Sequence, residues 1–250
     1  MEESTAPARH GASLDLAKQS IENEKFWRRA GHDMRGPLVA ISNLTQLILL
    51  RNNGNLDEDL ARMFELIQGQ VRELDLAIIS VVKYAAQPTA PLQPQTLCNL
   101  QEVVQFAIAE NIKSLEETAG EIDVGDIPLL CIEESDLLTI VAQLIANALQ
   151  FRSGLKPQIS FSGTVSAPGM LTVCVSDNGI GVDPQKLESI FEPFFQIGAV
   201  SVSGNGLGLA LCRKILLRYG GTIWAQPSAA GGLSVCFSIP DAPQSRHKAA

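Results

Sequence analysis

Hydrophobic residues recur at helical spacing over the first third of the chain. Between about residues 15 and 51 they lie in steps of three and four, which predicts one long amphipathic helix: Phe26, Ala30, Met34, Leu38, Ile41, Leu44 and Ile48. The turn residues of "RNNGN" (51–55) interrupt this pattern. A heptad series then follows at Leu60, Phe64, Ile67, Val71, Leu74, Ile78 and Val81. Two such helices predict an antiparallel hairpin. Because a second copy would close a four-helix bundle, we predict a homodimer.

The pattern changes after the proline-rich stretch "AAQPTAPLQPQ". Two later segments have helical spacing, "NLQEVVQFAIAENIKSL" and "SDLLTIVAQLIANALQF", and four short β-rich runs stand among them, "QISFSGTV", "LTVCVSD", "GTIWAQ" and "LSVCFSIP". This mixture predicts an α/β sandwich with helices on one face of a sheet. We therefore expect a multidomain α and α+β protein with these parts: a disordered N-terminus (1–14), the helical hairpin (15–86), a linker (87–94), the sandwich (95–240) and a disordered tail (241–250).

Composition narrows the classes of function. The chain has 250 residues, 46% hydrophobic and 18% charged, with a net charge of −8; this acidity argues against broad nucleic-acid binding, which needs a basic face. The five cysteines show no metal-ligand spacing and predict reduced thiols. The longest apolar stretch is too short to span a membrane, and the first residues lack the apolar core of a signal peptide. We expect a cytoplasmic protein with no membrane span.

Glycine-rich stretches carry the candidate chemistry of the sandwich. In "SDNGIG", Asp177 ends a predicted strand and could accept a hydrogen bond from an exocyclic amine, while Gly179 and Gly181 would let a ligand approach the backbone; a tight turn is the alternative. In "GNGLGL", Gly204, Gly206, Leu207 and Gly208 lead into a helix whose N-terminus could bind phosphate. This pattern alone is weak.

Two further polar positions lie in apolar surroundings. Asn147 interrupts an apolar helix, where it is either a satisfied core residue or a carbonyl ligand for Mg²⁺. His32 stands beside Asp33 in "GHDMRGPL", with Pro37 inside the predicted helix. A proline there removes a backbone hydrogen bond at a cost of about 3 kcal/mol. The alternative for His32 is a solvated helix histidine.

Five segments, taken in order, resemble the signature boxes of two-component sensor histidine kinases: "GHDMRGPL", "QLIANALQF", "SDNGIG", "FEPFF" and "GNGLGL". The resemblance covers roughly residues 22–240. It implies a dimerising hairpin that carries the phosphoacceptor histidine, followed by the Bergerat ATP-binding fold that gyrase and Hsp90 share. The implied activity is autophosphorylation from Mg·ATP and transfer to an aspartate of a response regulator receiver domain.

The resemblance also implies roles for individual residues. His32 is the expected phosphoacceptor and Asp33 its general base. Asp177 would bind the adenine amine and Asn147 the Mg²⁺, while Gly179, Gly181, Gly204, Gly206, Leu207 and Gly208 would shape the ATP site. Residues from about 182 to 205 would form a mobile lid anchored by "FEPFF". We expect the signal, if any, to come from a sensor partner in trans, from a domain absent from this chain, or through the amino-terminal helix.

The chain departs from the family pattern at several positions. Gly36 replaces the Thr or Asn that often follows the phosphoacceptor by four residues, which predicts weak phosphatase activity. Gln150 and Gln196 stand where Lys and Arg are common, Gln143 replaces a frequent Asn, and Lys186 is the only basic residue of the predicted lid. Arg152 could compensate. Because fewer cations would face the triphosphate, a degenerate scaffold without turnover is the alternative function. A Bergerat-fold ATPase or serine kinase that acts on a protein partner is a second alternative, against which the hairpin with "HDMRGP" argues.

Overall fold

The computed structural model describes residues 7–51, 57–92, 96–167, 169–197 and 204–240. The chain divides into two compact units, and the boundary between Ala90 and Pro91 lies in the predicted linker. Within the described residues, no helix is long and apolar enough to cross a membrane.

The first unit is the predicted pair of helices, α1 (Pro7–Arg51) and α2 (Glu58–Ala86). Helix α1 begins at Pro7, earlier than the predicted start near residue 15, and the predicted division of the chain into five parts stays a prediction. Helix α1 runs without interruption through Pro37. Residues 1–6, most of the predicted "RNNGN" turn and the predicted tail (241–250) lie outside the described residues.

The two helices approach each other closely beside Gly31, which is buried. A Cβ on Gly31 would lie 2.5 Å from Cγ2 of Val82, so α2 comes nearer here than any larger residue would allow. One turn further on, Arg35 reaches across to Asp75 through Nε at 2.5 Å and Nη2 at 3.2 Å. No described residue of α2 is fully buried, so the hairpin leaves much of its apolar surface uncovered.

The second unit is the predicted α/β sandwich. Its helices are α3 (Leu100–Glu110), α4 (Ile112–Thr118), α5 (Glu134–Gln150) and α6 (Gly208–Arg218). Its strands are β1 (Leu97–Cys98), β2 (Glu121–Val124), β3 (Leu130–Cys131), β4 (Gln158–Ala167), β5 (Met170–Asp177), β6 (Thr222–Pro227) and β7 (Leu233–Pro240). Five strands form a sheet of order β2-β4-β5-β7-β6, in which β2 is parallel to β4 and the other pairs are antiparallel; β1 pairs with β3.

The core lies between one face of this sheet and the helices. Alternate residues of β5 and β7 are buried there, namely Leu171, Val173, Val175, Val235, Phe237 and Ile239. Helix α5 contributes a buried stripe at helical spacing, including Leu137, Ile140, Val141, Leu144 and Ala148. The helices therefore pack on one face of the sheet, as predicted.

Strand register overturns the prediction that all five cysteines are reduced thiols. Cys174 of β5 lies directly opposite Cys236 of β7, and the two form a disulfide. Reduced thiols were expected for all five cysteines because no sequence spacing pairs these two. Of the described cysteines, Cys98, Cys131 and Cys212 take part in no disulfide.

Candidate functional site

The candidate phosphoacceptor lies on the open surface of α1. The side chains of His32 and Asp33 are 89% and 71% exposed, and Nδ1 of His32 lies 3.3 Å from Oδ1 of Asp33. Neighbouring helix residues do not normally face each other, so this contact depends on a specific pair of side-chain rotamers. If Nδ1–H donates to the carboxylate, Nε2 carries the unshared electron pair and is the nucleophilic nitrogen.

The surface next to His32 has room for a larger side chain. Gly36 lies one turn further along α1, and a Cβ built on it meets nothing within 4 Å. Residues at i and i+4 are neighbours on a helix surface, so Gly36 leaves open space beside the candidate phosphoacceptor.

In the second unit, Asp177 is held at the end of β5 by two backbone donors. Its Oδ1 accepts hydrogen bonds from the N–H groups of Gly179 at 2.8 Å and Leu233 at 3.0 Å. Burial raises the pKa of this carboxyl group, while the two backbone hydrogen bonds act in the opposite direction. Because both bonds use Oδ1, Oδ2 is the oxygen left for a ligand.

Glycines surround this carboxylate because nothing larger fits. A Cβ on Gly232 would lie 2.1 Å from Oδ1 of Asp177, and one on Gly179 would lie 2.5 Å from the carbonyl oxygen of Phe151. Gly181 has φ +68 and lies against the backbone of Gly231 and Gly232. Such a cradle, in which backbone encloses a carboxylate at a strand end, fits a flat ligand that presents an amine.

The end of α5 is joined to this loop, which brings Asn147 near it. The N–H of Ile180 donates to the carbonyl of Phe151 at 3.0 Å, and Phe151 is the C-cap of α5. Asn178 fixes the intervening loop, since its Oδ1 accepts from the N–H of Gln158 and its Nδ2 donates to the carbonyl of Lys156, both at 2.9 Å. Asn147 is half-buried one turn before the end of α5.

The glycine-rich stretch before α6 packs against "FEPFF". Gly206 has φ +66, its carbonyl accepts from the N–H of Phe194 at 2.9 Å, and a Cβ on it would lie 2.5 Å from the carbonyl oxygen of Phe195. Leu207 is buried (1% exposed), and Gly208 begins α6 against Oε1 of Gln143 on α5. Gly204 precedes them in the same loop. The N-terminus of α6 and the half of α5 that carries Asn147 therefore lie side by side.

The described part of the predicted lid is folded onto the domain. Residues 184–186 and 189–191 form short 3₁₀ turns, and Phe191 is buried (2% exposed) whereas Phe194 is exposed (63%). Glu188 pairs with Arg213 of α6 at 3.0 Å. Residues 198–203 of the predicted lid lie outside the described residues.

The residues at this site fit a magnesium nucleotide better than a metal held by protein alone. In the part of the chain that the structure describes, no group of three or more His, Cys, Asp or Glu side chains could hold a metal ion. Mg²⁺ is commonly held by one or two protein oxygens together with substrate phosphates. The amide oxygen of Asn147 could be such a protein ligand. The proposed compensation by Arg152 has a second explanation, since its Nη1 donates to the carbonyl of Leu149 at 3.1 Å and so caps α5.

Sequence reasoning missed the contribution of β7. Leu233 supplies an N–H to Asp177, and Gly232 forms the wall beside it, although they are more than 50 residues away along the chain. The only signal was the Gly231–Gly232 pair, which predicts a turn and nothing more.

Known proteins resemble this chain along most of its length. Residues 132–243 match the family described as histidine kinase-, DNA gyrase B-, and HSP90-like ATPase. The chain is 33% identical over 227 residues to the phytochrome-like protein Cph1 of Synechocystis sp., covering 90% of this chain and 30% of that protein. It is 25% identical over 233 residues to the sensor histidine kinase RppB of the same organism, covering 88% of this chain and 49% of that protein. The chain thus spans less than half the length of either relative.

A solved structure shares the fold over nearly the whole chain. The crystal structure of histidine kinase ThkA in complex with response regulator protein TrrA has a TM-score of 0.60 and 20% sequence identity, and it covers 98% of this chain and 70% of that one. At this identity the likeness concerns the fold. The sequence relatives and the matched ATPase family support a two-component sensor histidine kinase, and the solved structure shares the fold, a helical hairpin followed by an α/β sheet domain.

Proposed function

We propose that this protein phosphorylates itself on His32 with Mg·ATP and passes the phosphoryl group to an aspartate of a response regulator receiver domain. The observation that carries the proposal is the contact of 3.3 Å between Nδ1 of His32 and Oδ1 of Asp33, on a histidine that is 89% exposed. A solvated helix histidine needs no such partner, whereas a nucleophilic imidazole needs an acceptor for the proton it loses.

The phosphoryl transfer follows from this pairing. Nε2 of His32 attacks the γ-phosphorus and forms an N–P bond, while the bond from that phosphorus to the β,γ-bridging oxygen breaks and its electron pair leaves with ADP. The ring becomes positively charged, and the Nδ1 proton passes to Asp33 or is shared with it. Orientation and charge neutralisation supply most of the catalysis in phosphoryl transfer.

Three groups of the ATPase domain would hold the nucleotide. Oδ2 of Asp177 accepts the adenine amine, and Gly179, Gly181 and Gly232 let the ring approach. The N-terminus of α6 at Gly208, together with Gly204, Gly206 and Leu207, faces the phosphates. Asn147 would hold the Mg²⁺, which supplies positive charge to the phosphates when bound.

The exposed apolar residues of the hairpin support a homodimer. In the heptad series of α2, Leu60, Ile67 and Leu74 are 45%, 42% and 53% exposed, whereas the alternate members are half-buried. Helix α1 adds Ile41 (42%) and Leu44 (60%). One hairpin therefore buries only part of its apolar surface, and a second copy would bury the rest in a four-helix bundle.

A receiver domain would dock on the face of α1 that carries His32. Val39, Asn43 and Leu50 lie at helical spacing from His32 and are all exposed. The complex of ThkA with TrrA shows that a histidine kinase of this fold holds a response regulator, and we extend that partner class to this chain. A sensor partner in trans remains part of the proposal.

One set of residues favours a scaffold without turnover as the second candidate. Gln143, Gln150 and Gln196 provide amides where charged or shorter side chains are common in the family, and Gln143 contacts the first residue of α6. A weaker phosphate site would preserve dimerisation while slowing transfer. ATP turnover separates the two candidates.

The deciding experiment incubates purified protein with Mg²⁺ and γ-labelled ATP, alongside His32→Ala and Asn147→Ala. The expected result is an acid-labile, base-stable label that both substitutions abolish. The chain has only three histidines, so His10→Ala and His247→Ala are matched controls that should keep the label. A wild-type protein that binds ATP but takes up no label, with its activating partner present, would support the scaffold.

A further inference from the structure

A buried polar cluster lies between the start of α5 and the end of α6. These are the helix ends remote from the nucleotide residues. Asp136, in the first turn of α5, accepts hydrogen bonds at Oδ2 from Nη1 of Arg218 at 3.0 Å and from the hydroxyl of Tyr219 at 2.6 Å. The Arg218 and Asp136 side chains are only 12% and 16% exposed, and Tyr219 is 4% exposed. The N–H of Glu133 also donates to the Tyr219 hydroxyl at 3.3 Å. The cluster thus ties the start of α5 to the end of α6.

The interdomain linker is attached to this cluster. The backbone N–H of Leu92 donates to the carbonyl oxygen of Arg218 at 2.8 Å. Carbonyl groups in the last turn of a helix lack intrahelical partners, so α6 offers an acceptor that the linker fills. Leu92 lies before the first strand of the domain, β1, which begins at Leu97.

The chemistry of the cluster suits an anchor that does not change with physiological pH. Burial, and then the hydrogen bond to Asp136, raise the pKa of the Tyr219 hydroxyl far above its ordinary value, so the hydroxyl remains a donor. Replacing a buried ion pair with apolar residues is often neutral for stability. Stability alone therefore does not explain the pair, which joins the first turn of α5 to the residue of α6 whose carbonyl accepts the Leu92 N–H.

We propose that Asp136, Arg218 and Tyr219 form a clasp that shortens the linker between the phosphoacceptor hairpin and the ATPase domain, and that they are positioning residues for phosphorylation of His32. The proposal rests on the function proposed above. With the clasp closed, the linker between the end of α2 at Ala86 and the attachment at Leu92 is residues 87–91. With it open, the linker extends to Leu97 and comprises residues 87–96.

Linker length sets how often the tethered domain meets its target. The effective concentration of a flexibly tethered group falls roughly as the −3/2 power of tether length. Doubling the linker from five to ten residues therefore lowers the encounter frequency about threefold. The nucleotide site lies at the other ends of α5 and α6, so the affinity for ATP should not change.

The decisive variant is Leu92→Pro, because it removes the N–H that reaches Arg218, while its ring also fixes φ at residue 92. Leu92→Ala is the matched control, since it shortens the side chain and keeps that N–H. For the full chain, we expect Leu92→Pro to lower kcat of autophosphorylation about threefold with KM for ATP unchanged, and Leu92→Ala to leave both unchanged. Equal effects of the two variants, or an unchanged kcat in Leu92→Pro, would overturn the clasp.

Amide hydrogen exchange tests the attachment without relying on kinase activity. In the wild type we expect the Leu92 amide to exchange at least about tenfold more slowly than in an unstructured peptide, and Tyr219→Phe and Asp136→Asn to reduce that protection. An unprotected Leu92 amide in the wild type refutes the clasp. If the wild type forms no phosphohistidine, the proposed kinase function fails, while the exchange result still decides whether the clasp exists.

Discussion

Substitution of Asp177 by Asn tests the nucleotide site with little disturbance of the fold. Oδ1 of Asp177 accepts the N–H groups of Gly179 and Leu233, and Asn can retain both bonds through its own Oδ1. The change then falls on the second position, where an acceptor oxygen becomes an NH₂ donor. Opposite the adenine amine, this places two donors against each other.

The magnitude follows from the bond that is lost. A hydrogen bond to a charged group contributes about 1.5–3 kcal/mol, and an unmatched donor adds to the loss. A loss of about 2–3 kcal/mol corresponds to a Kd for ATP roughly 30- to 140-fold higher. Guanine carries a carbonyl oxygen where adenine carries its amine, so Asp177→Asn should weaken ATP without weakening GTP.

Isothermal titration calorimetry with ATP and GTP measures both affinities directly. Asp183→Asn is a matched control, because Asp183 also accepts a backbone N–H two residues further on, from Gln185 at 3.0 Å, but lies exposed on the lid. An ATP affinity within twofold of wild type in a folded Asp177→Asn protein would refute the assignment of adenine to this carboxylate.

The raised pKa of Asp177 adds a dependence on pH. Burial raises the pKa of this carboxyl group above its ordinary value of 3.8, so the folded domain binds the proton more tightly than the unfolded chain does. Its contribution to stability is therefore complete below pH 3.8 and is lost as pH rises through the folded-state pKa. ATP affinity should change in the opposite sense, because only the ionised carboxylate accepts the adenine amine. It should fall as the pH drops through the folded-state pKa of Asp177, and the Asp177→Asn variant should lack this fall.

Three further predictions concern glycines and the disulfide. In Gly69→Ala the added Cβ meets no atom within 4 Å, so the variant should stabilise the hairpin by about 1 kcal/mol. Gly31→Ala should lose that gain, because its Cβ would clash with α2. Equal melting temperatures of the two variants, measured by circular dichroism, would show that the close approach is absent. Cys174→Ser opens a cross-link of sequence separation 62 and should lower the unfolding free energy of the ATPase domain by about 4 kcal/mol in urea titrations under oxidising conditions, with the variant matching reduced wild type. Gly36→Thr, which fills open space, should accelerate dephosphorylation of a phosphorylated receiver domain, and rapid dephosphorylation by the wild type would contradict the predicted weak phosphatase.

Local patterns were enough to identify the elements and the family. Helical and alternating spacings are set by residues a few positions apart, so the two long helices and the helices-on-one-face sandwich could be predicted. The five ordered segments, from His32 to Gly208, were sufficient to identify a sensor histidine kinase. The positions at which helices begin were predicted less well. Helix α1 begins at Pro7 and not near residue 15, because the helix propensities of the residues there do not determine where a helix begins.

Contacts between distant parts of the chain were decided by the tertiary structure. Three contacts join segments many residues apart: the hydrogen bond from Leu233 at the start of β7 to Asp177, the Cys174–Cys236 disulfide and the bond from Leu92 to Arg218. None has a spacing that a sequence displays. The pairing of β5 with β7 brings the first two pairs together, and the position of the end of α6 beside the linker brings the third together. The sequence by itself therefore determined which chemical groups are present and on which elements they lie, and the packing of those elements decided which groups meet.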